Sequence, residues 1–415
     1  MTGLTTATEQ QPGPLAPLRE QDYRRFFIGS LASNLGTFCQ SIAQSLYIYQ
    51  ETRSTFLVGV VNFAQFAAVP VLAPIAGTIA DRYDRRRVLI LAQSGALATS
   101  GLLAVIALAG ALSPMIVIVA ATLIGVTSAF AFPIGRAFAP ALVTSVNLGR
   151  AVNLDSVSVN IARALGPVIG ALIVDRFGVR WAFTVNALSF TVLIGALASI
   201  SPRFQATPPN RSRFRDGLGI LRDRPLVGAL LFVIAACAIG ADPPVTLGPE
   251  LAHRFGGGDT LAGLILGAFG AGGVTGAFVA GAESARHHRK VARLLGLLVA
   301  GLLLFAFATR LPFVLLGSFV AGFGYLTAQT RTSTLLVRSI ADHERGRIMA
   351  LWSIAFIGTR PVASLLDGLI GDLIDLRVAA LVMALPAAAA IAVSVRLDRQ
   401  RLDTSAPTTD RGGTP

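Results

Sequence analysis

Apolar residues in this chain come in long runs, not in the alternation of a sheet or the heptads of a coiled coil. Twelve such runs are evident, at about 24–49, 55–80, 88–110, 114–136, 150–174, 179–200, 225–250, 260–282, 291–309, 312–337, 347–371 and 377–395. Each has about the ~20 residues that cross a bilayer and few interior charges. Backbone polar groups in hydrocarbon must be satisfied within their own segment, so each run predicts a helix. Short polar turns separate the runs, with one longer polar stretch after the sixth. The pattern predicts an all-α membrane protein of twelve transmembrane helices in two six-helix pseudo-repeats. It divides into an N-terminal segment (1–22), a first bundle (23–200), a linker (201–224), a second bundle (225–398) and a disordered tail (399–415).

Local repetition supports the duplication. Leu142-Val-Thr-Ser145 matches Leu336-Val-Arg-Ser339 at an offset that Pro167 and Pro361 share, and Arg136 and Arg331 precede the two strings. Spans 4–5 and 10–11 therefore read as copies, the build of a secondary transporter with its substrate near the midplane. On the eighth span Gly263, Gly267, Gly270, Gly273 and Gly276 recur at helical spacing. Small residues so placed let two helices approach closely, for sliding or for static packing.

Composition narrows the class. Of 415 residues 53% are hydrophobic and 14% charged, against about 25% charged in a soluble protein. The net charge of +13 does not point to nucleic acid, because most of the arginines fall on the side shared by both chain ends. Arginine collects on the cytoplasmic side, so the chain reads as a multi-pass protein of the cell (plasma or inner) membrane with both termini cytoplasmic. The linker arginines, Arg203 to Arg224, either contact anionic lipid headgroups or act only as a topology signal. No cleaved signal peptide is expected at residues 1–18. Cys39 and Cys237 read as two packed thiols. With one lysine and no Gly-x-x-x-x-Gly-Lys-Ser/Thr loop, ATP hydrolysis by that route is excluded. No enzyme activity, cofactor or metal is expected.

Between the second and third runs stands Gly77-Thr-Ile-Ala-Asp81-Arg82-Tyr-Asp84-Arg85-Arg86-Arg87. It resembles the loop signature of the major facilitator superfamily and lies where that family carries it. The resemblance implies a gate at Gly77, Asp81, Arg82 and Arg85. The acid would meet the start of the eleventh helix, near Glu344 to Arg347, when the inner side is closed. A carboxylate is favoured at a helix N-terminus. On the fifth span Asp155, Ser156, Val159, Asn160, Arg163, Gly166, Pro167 and Gly170 share one small, polar face. Gly166-Pro167-Val-Ile-Gly170-Ala171 resembles the Gly-Pro-x-x-Gly-Gly signature of antiporters in that superfamily, with Ala171 departing from it. The matching role is to seal the outer half against proton leak. Further stretches are similar to the enterobactin-exporter-like and macrolide-efflux branch: Asp22 to Phe27, Ser33 to Gly36, Phe132 to Pro140, Ala151 to Asn153, Arg163 to Pro167 and Glu344 to Met349. That branch implies a proton-driven exporter of a small amphipathic molecule such as a drug, siderophore or secondary metabolite.

The residues set further expectations. Arg163 at mid-membrane depth needs a partner, with Asp155 and Asp242 the candidates. Asp155, Asp242 and Asp367 are candidates for proton coupling, or for structural ion pairs. Asp242 precedes Pro243-Pro244, which must interrupt the seventh helix. Asn34, Thr37, Ser41 and Gln44 on the first span, with Asn62 and Gln65 on the second, either line a substrate cavity with Phe38 and Arg163 or bond between helices. The expected partners are a small-molecule substrate, protons and the lipid bilayer, without nucleic acid, in a protein that is a monomer. An uptake symporter of the same fold is the alternative.

Overall fold

In the computed structural model the described residues are 13, 15–201, 224–282, 288–340 and 344–405; the side chains of a few, Asp81 among them, lie outside the description. Most of the predicted linker (202–223) also lies outside it.

Twelve long helical segments follow one another. They are α1 (Gln21–Thr52), α2 (Thr55–Arg82), α3 (Arg85–Leu108), α4 (Pro114–Phe138), α5 (Leu148–Phe177) and α6 (Val179–Ala198). Then come α7 (Pro225–Gly240), α8 (Asp259–Ala282), α9 (His288–Phe307), α10 (Leu311–Arg338), α11 (Arg345–Leu373, in pieces) and α12 (Leu376–Ser405). Among the described residues, eleven helices are long and apolar enough to cross a membrane. The remaining one, α1, is 32 residues long and carries the polar stripe read from the sequence, which lowers its hydropathy. The chain is a multi-pass membrane protein.

Polar caps start the helices where the sequence changes character. The Ser54 side chain accepts from the Leu57 amide at the head of α2, and Asp84 accepts from the Arg86 amide at the head of α3. Each satisfies an N–H that the first helical turn leaves without a partner. Gly178, at φ 88°, turns α5 directly into α6, a backbone state that glycine adopts without steric cost.

Two helices are broken. After Gly240 the seventh span continues as short pieces, Pro243–Thr246 and Gly248–Arg254, because prolines at 243 and 244 cannot donate to the preceding turn. In α11 a π-helical turn over Ile354–Gly358 separates Arg345–Ser353 from Thr359–Leu373; such turns cluster at functional positions. One expectation is corrected. Helix α12 runs to Ser405, so 399–405 is helical where disorder was predicted, as good helix formers such as Arg399, Gln400, Arg401 and Leu402 allow.

The packing is repetitive. Among the first six helices the large contacts are α1 with α5 and α6, α2 with α4, and α3 with α4 and α6. Adding six to each number gives the contacts of the last six: α7 with α11 and α12, α8 with α10, and α9 with α10 and α12. The two sets meet at α5 with α8 and α2 with α11, a pair that the same operation exchanges. These two seams position everything that follows.

Candidate substrate and proton site

The α5–α8 seam is made by absent side chains. A Cβ on Gly270 would stand 2.5 Å from Ala164 Cα, and one on Gly263 would meet Ala171 and stand 2.9 Å from the Pro167 carbonyl. Gly267 faces Val168 in the same way. The α8 glycine stripe thus packs on the Gly-Pro stretch of α5, while Gly272 and Gly276 turn toward α10. Gly166 and Gly170 do something else. They face α1, at Phe38 Cβ (2.6 Å) and the Cys39 carbonyl (2.6 Å), so they tighten the first six helices rather than the seam between the sets. At the α2–α11 seam Gly59 lies against the Ser364 carbonyl and Gly368 against the Thr55 carbonyl.

One end of the bundle, the motif side, carries the Gly77–Arg87 turn and both chain ends. At the other, the far side, side chains bond across the two sets. Gln50 donates to Asp259 at 2.7 Å, and Thr260 donates to Asp175 at 3.0 Å. The Thr55 amide donates to Asp372 at 2.6 Å, joined by the Thr55 and Ser54 hydroxyls. In the adjoining turn the Arg377 amide, and then Arg254, hold the Asp375 carboxyl below the usual carboxylate range. On the motif side a Cβ at Gly77 would meet nothing within 4 Å among the described residues. Arg82 is exposed, and Arg85 and Arg347 are partly buried. The Asp81 side chain lies outside the described residues.

Below the α2–α11 seam sit two buried acids. Asp242, 2% exposed, accepts from Ser364 at 2.5 Å and from Thr246 at 2.7 Å. Asn62 on α2 donates to Thr246 at 3.5 Å, so the cluster reaches across both sets of helices. Asp367 is fully buried, and neither of its oxygens meets a donor among the surrounding groups. It is close enough to Asp242 for the two carboxyls to feel each other's charge. Two like charges so buried repel, which favours a proton on one of them. Asp242 stands in the break after Gly240, at the head of the short piece Pro243–Thr246. Asp155, the third acid singled out in the sequence, is elsewhere. It is half-buried toward the motif side, with Arg136 and Tyr23 as its charged and titratable neighbours.

Arg163 does not pair with Asp155 or Asp242, contrary to the sequence expectation. Its guanidinium lies over the Phe38 ring at 5.9 Å and within electrostatic range of the Tyr325 hydroxyl of α10. Two turns along a helix exceed the reach of an Arg–Asp contact, and α10 brings Tyr325 nearer. Arg360 of α11 lies over the Phe66 ring of α2 at 5.8 Å, and each arginine feels the other's charge. The polar stripe divides. Asn34, Thr37, Phe38 and Ser41 are half-buried, whereas Gln44, Asn62 and Gln65 are buried. Asn34 donates to Ser30 and Thr37 to the Ser33 carbonyl. Gln40, not singled out from sequence, accepts from Asn186 at 2.8 Å and ties α1 to α6. Ser364, Thr246 and Tyr325 were also missed. Their one sequence signal was a polar residue inside an apolar span, which many structural serines and threonines share. An open apolar hollow of about 530 Å³ on α2 and α4, with Phe63, Val71 and Ile118 in its wall, has none of these charged residues in its lining. Cys39 and Cys237 are free and buried, as expected.

Comparison with known proteins agrees with this architecture. The family described as "Transmembrane secretion effector", a major facilitator family, matches residues 12–410. The chain is 25% identical over 364 residues to a staphyloferrin A transporter of Staphylococcus aureus (strain NCTC 8325 / PS 47), covering 84% of this chain and 89% of that protein. It is 27% identical over 358 residues to the enterobactin exporter EntS of Shigella boydii serotype 4 (strain Sb227), covering 84% and 85%. Among solved structures, a bacterial homolog of the human lysosomal transporter Spinster, inward-facing and occupied, superposes with a TM-score of 0.74 at 12% identity, covering 93% of this chain and 98% of that one. Such low identity speaks to fold alone. The chain is therefore a secondary transporter and not an enzyme, and it belongs to the transmembrane secretion effector family of the major facilitator superfamily.

Proposed function

We propose that the protein exports a small amphipathic metabolite across the cell membrane by proton antiport and alternating access, as a monomer with both chain ends in the cytoplasm. The observation that carries the coupling is the pair of buried acids Asp242 and Asp367, whose like charges repel across a dry interior, so that the pair favours holding a proton. The pair lies where α7 and α11 meet α2, so loading or losing that proton alters a contact between the two sets of helices. Buried ionisable groups inside a membrane mark proton and substrate paths. The arginine-rich motif side reads as cytoplasmic, which makes the cross-bonded far side a closed outer gate. The relatives named for enterobactin and staphyloferrin A support a siderophore or similar secondary metabolite as cargo.

The test uses inverted membrane vesicles with an acidic interior and a pH-sensitive dye, to which ferric-chelator metabolites and lipophilic drugs are added. Substrate-induced proton release is expected, and its loss in Asp367→Asn and Asp242→Asn identifies the carriers. Transport without proton movement, or wild-type coupling in both variants, would overturn the assignment. Uptake by proton symport is the second reading. One observation favours it: Arg360 lies within electrostatic range of Asp242, so a proton on the acid pair leaves that arginine freer to hold an anion. In symport the same dye would report protons moving with the substrate.

A further inference from the structure

Two arginines stand at mid-depth in this membrane protein without a salt bridge to any described acid. Arg163 is halfway along α5 and Arg360 halfway along α11. Among the described residues neither makes an ion pair, since the pairs found involve Arg87, Arg224 and Arg254. Each is instead laid on a phenylalanine face, Phe38 for Arg163 and Phe66 for Arg360, at 5.9 and 5.8 Å. Asp242, the acid nearest Arg360 in electrostatic terms, spends its hydrogen bonds on Ser364 and Thr246. Arg163 has Tyr325, and the charges that reach it from other helices, Arg360 and Arg136, are both positive. Arg331 on α10 differs, because it is buried and has a contact of its own.

A charge at the bilayer centre costs about 2.5–3.5 kcal/mol on insertion scales, and a second like charge beside it adds repulsion. A structural arginine would remove that cost with a carboxylate. Here the compensation is aromatic and partial, about 0.5–2 kcal/mol per cation–π contact. Stacking on a ring holds the guanidinium plane and leaves its N–H edges free for a bidentate acceptor. One arginine belongs to the first six helices and the other to the last six, so a ligand touching both would bridge the two moving parts.

We propose that Arg163 and Arg360, backed by Phe38 and Phe66, form an anion-binding site, and that the transported molecule is a carboxylate-bearing anion rather than a lipophilic cation. The inference rests on the transport reading above and narrows its substrate class.

Binding to the purified full-length protein in detergent at pH 7.5, without a gradient, tests it. The probes are citrate, 2,3-dihydroxybenzoate and tetraphenylphosphonium, with sulfate and chloride at matched ionic strength as controls. Dissociation constants come from the ligand-induced rise in Tm. Citrate or 2,3-dihydroxybenzoate should stabilise the wild type beyond the salt controls, and tetraphenylphosphonium should not. Arg163→Gln and Arg360→Gln should each weaken anion binding at least about tenfold, the loss of a charge-assisted contact. Arg163→Lys and Arg360→Lys should fall between, since lysine keeps the charge and loses the fork. Each variant must unfold cooperatively, and either arginine alone suffices should the other variant misfold. Stabilisation by the cation, equal anion binding in the glutamine variants, or no anion effect beyond the salts would each overturn the site. Because no proton gradient is used, a protein that binds anions through both arginines yet shows no opposing proton flux keeps this site and loses antiport.

Discussion

The two ends of the bundle are held by different kinds of contact. On the far side carboxylates of one set of helices bond to the other: Asp259 to Gln50, Asp372 to Thr55 and Asp175 to Thr260. On the motif side, bonds within a set stand among the described residues: Tyr23 to the Ala151 carbonyl at 2.9 Å, Arg86 to the Leu197 carbonyl at 2.6 Å and Arg224 to Glu344 at 2.9 Å. Exposed polar bonds of the first kind contribute about 1 kcal/mol each and break readily. Below them the glycine seams bring backbones into direct contact, which is either made or lost as a whole. A shallow polar clasp over a steric seam suits an end that must open, while bonds internal to a set keep each six-helix unit rigid as it moves.

The sharpest way to break the contrast is Gly270→Leu. Its Cβ would stand 2.5 Å from Ala164 Cα, and overpacking of this kind costs about 1–3 kcal/mol. Transport should be abolished, and a Thr260→Cys reporter should react several-fold faster with a membrane-impermeant maleimide. Unchanged labelling would remove the α5–α8 seam from gating. Gly166→Leu, which clashes with Phe38 inside the first six helices, should instead lower Tm.

Asp81→Asn probes the opposite end. If the loop acid bonds only when the motif side closes, the variant should lose transport while insertion and Tm stay at wild-type values. A parallel drop in Tm would move its role into the state described here, and wild-type transport would end the gate assignment.

The smallest effect is expected from Asp372→Asn. The amide keeps one acceptor for Thr55 but gives up the charge, a loss of about 1 kcal/mol. Labelling of the Thr260→Cys reporter should rise modestly, with transport within a few-fold of wild type. An effect as large as that of Gly270→Leu would make the polar clasp, not the seam, the main lock.

Much of this was legible in the chain. The runs gave the helices, because hydrocarbon admits no other way to satisfy a spanning backbone. The double proline gave the break in the seventh span, and the glycine spacing on the eighth announced a close helix contact. Asp242 and Asp367 were singled out by their depth alone. Their pairing was not visible, since they lie on α7 and α11 and depend on where the chain goes after Gly240. The partner of Arg163 was misread for the same reason: proximity along α5 suggested Asp155, whereas α1 and α10 supply Phe38 and Tyr325. That the Gly166 face packs on α1 was likewise not legible, since the sequence does not say which helix lies opposite.

By itself, then, the sequence determined what each segment is: a spanning helix, a broken one, a basic turn, a stripe of small residues. Those properties are local, fixed by a backbone that must hydrogen-bond to itself and by charges that avoid lipid. Only the tertiary structure decided which side chains meet, which end is clasped, and which mid-membrane arginines make no salt bridge. These depend on how twelve similar helices are arranged around one another, and an apolar face packs against many partners nearly equally well, so the choice is made by shape at a few glycines and by a few polar atoms that must find each other.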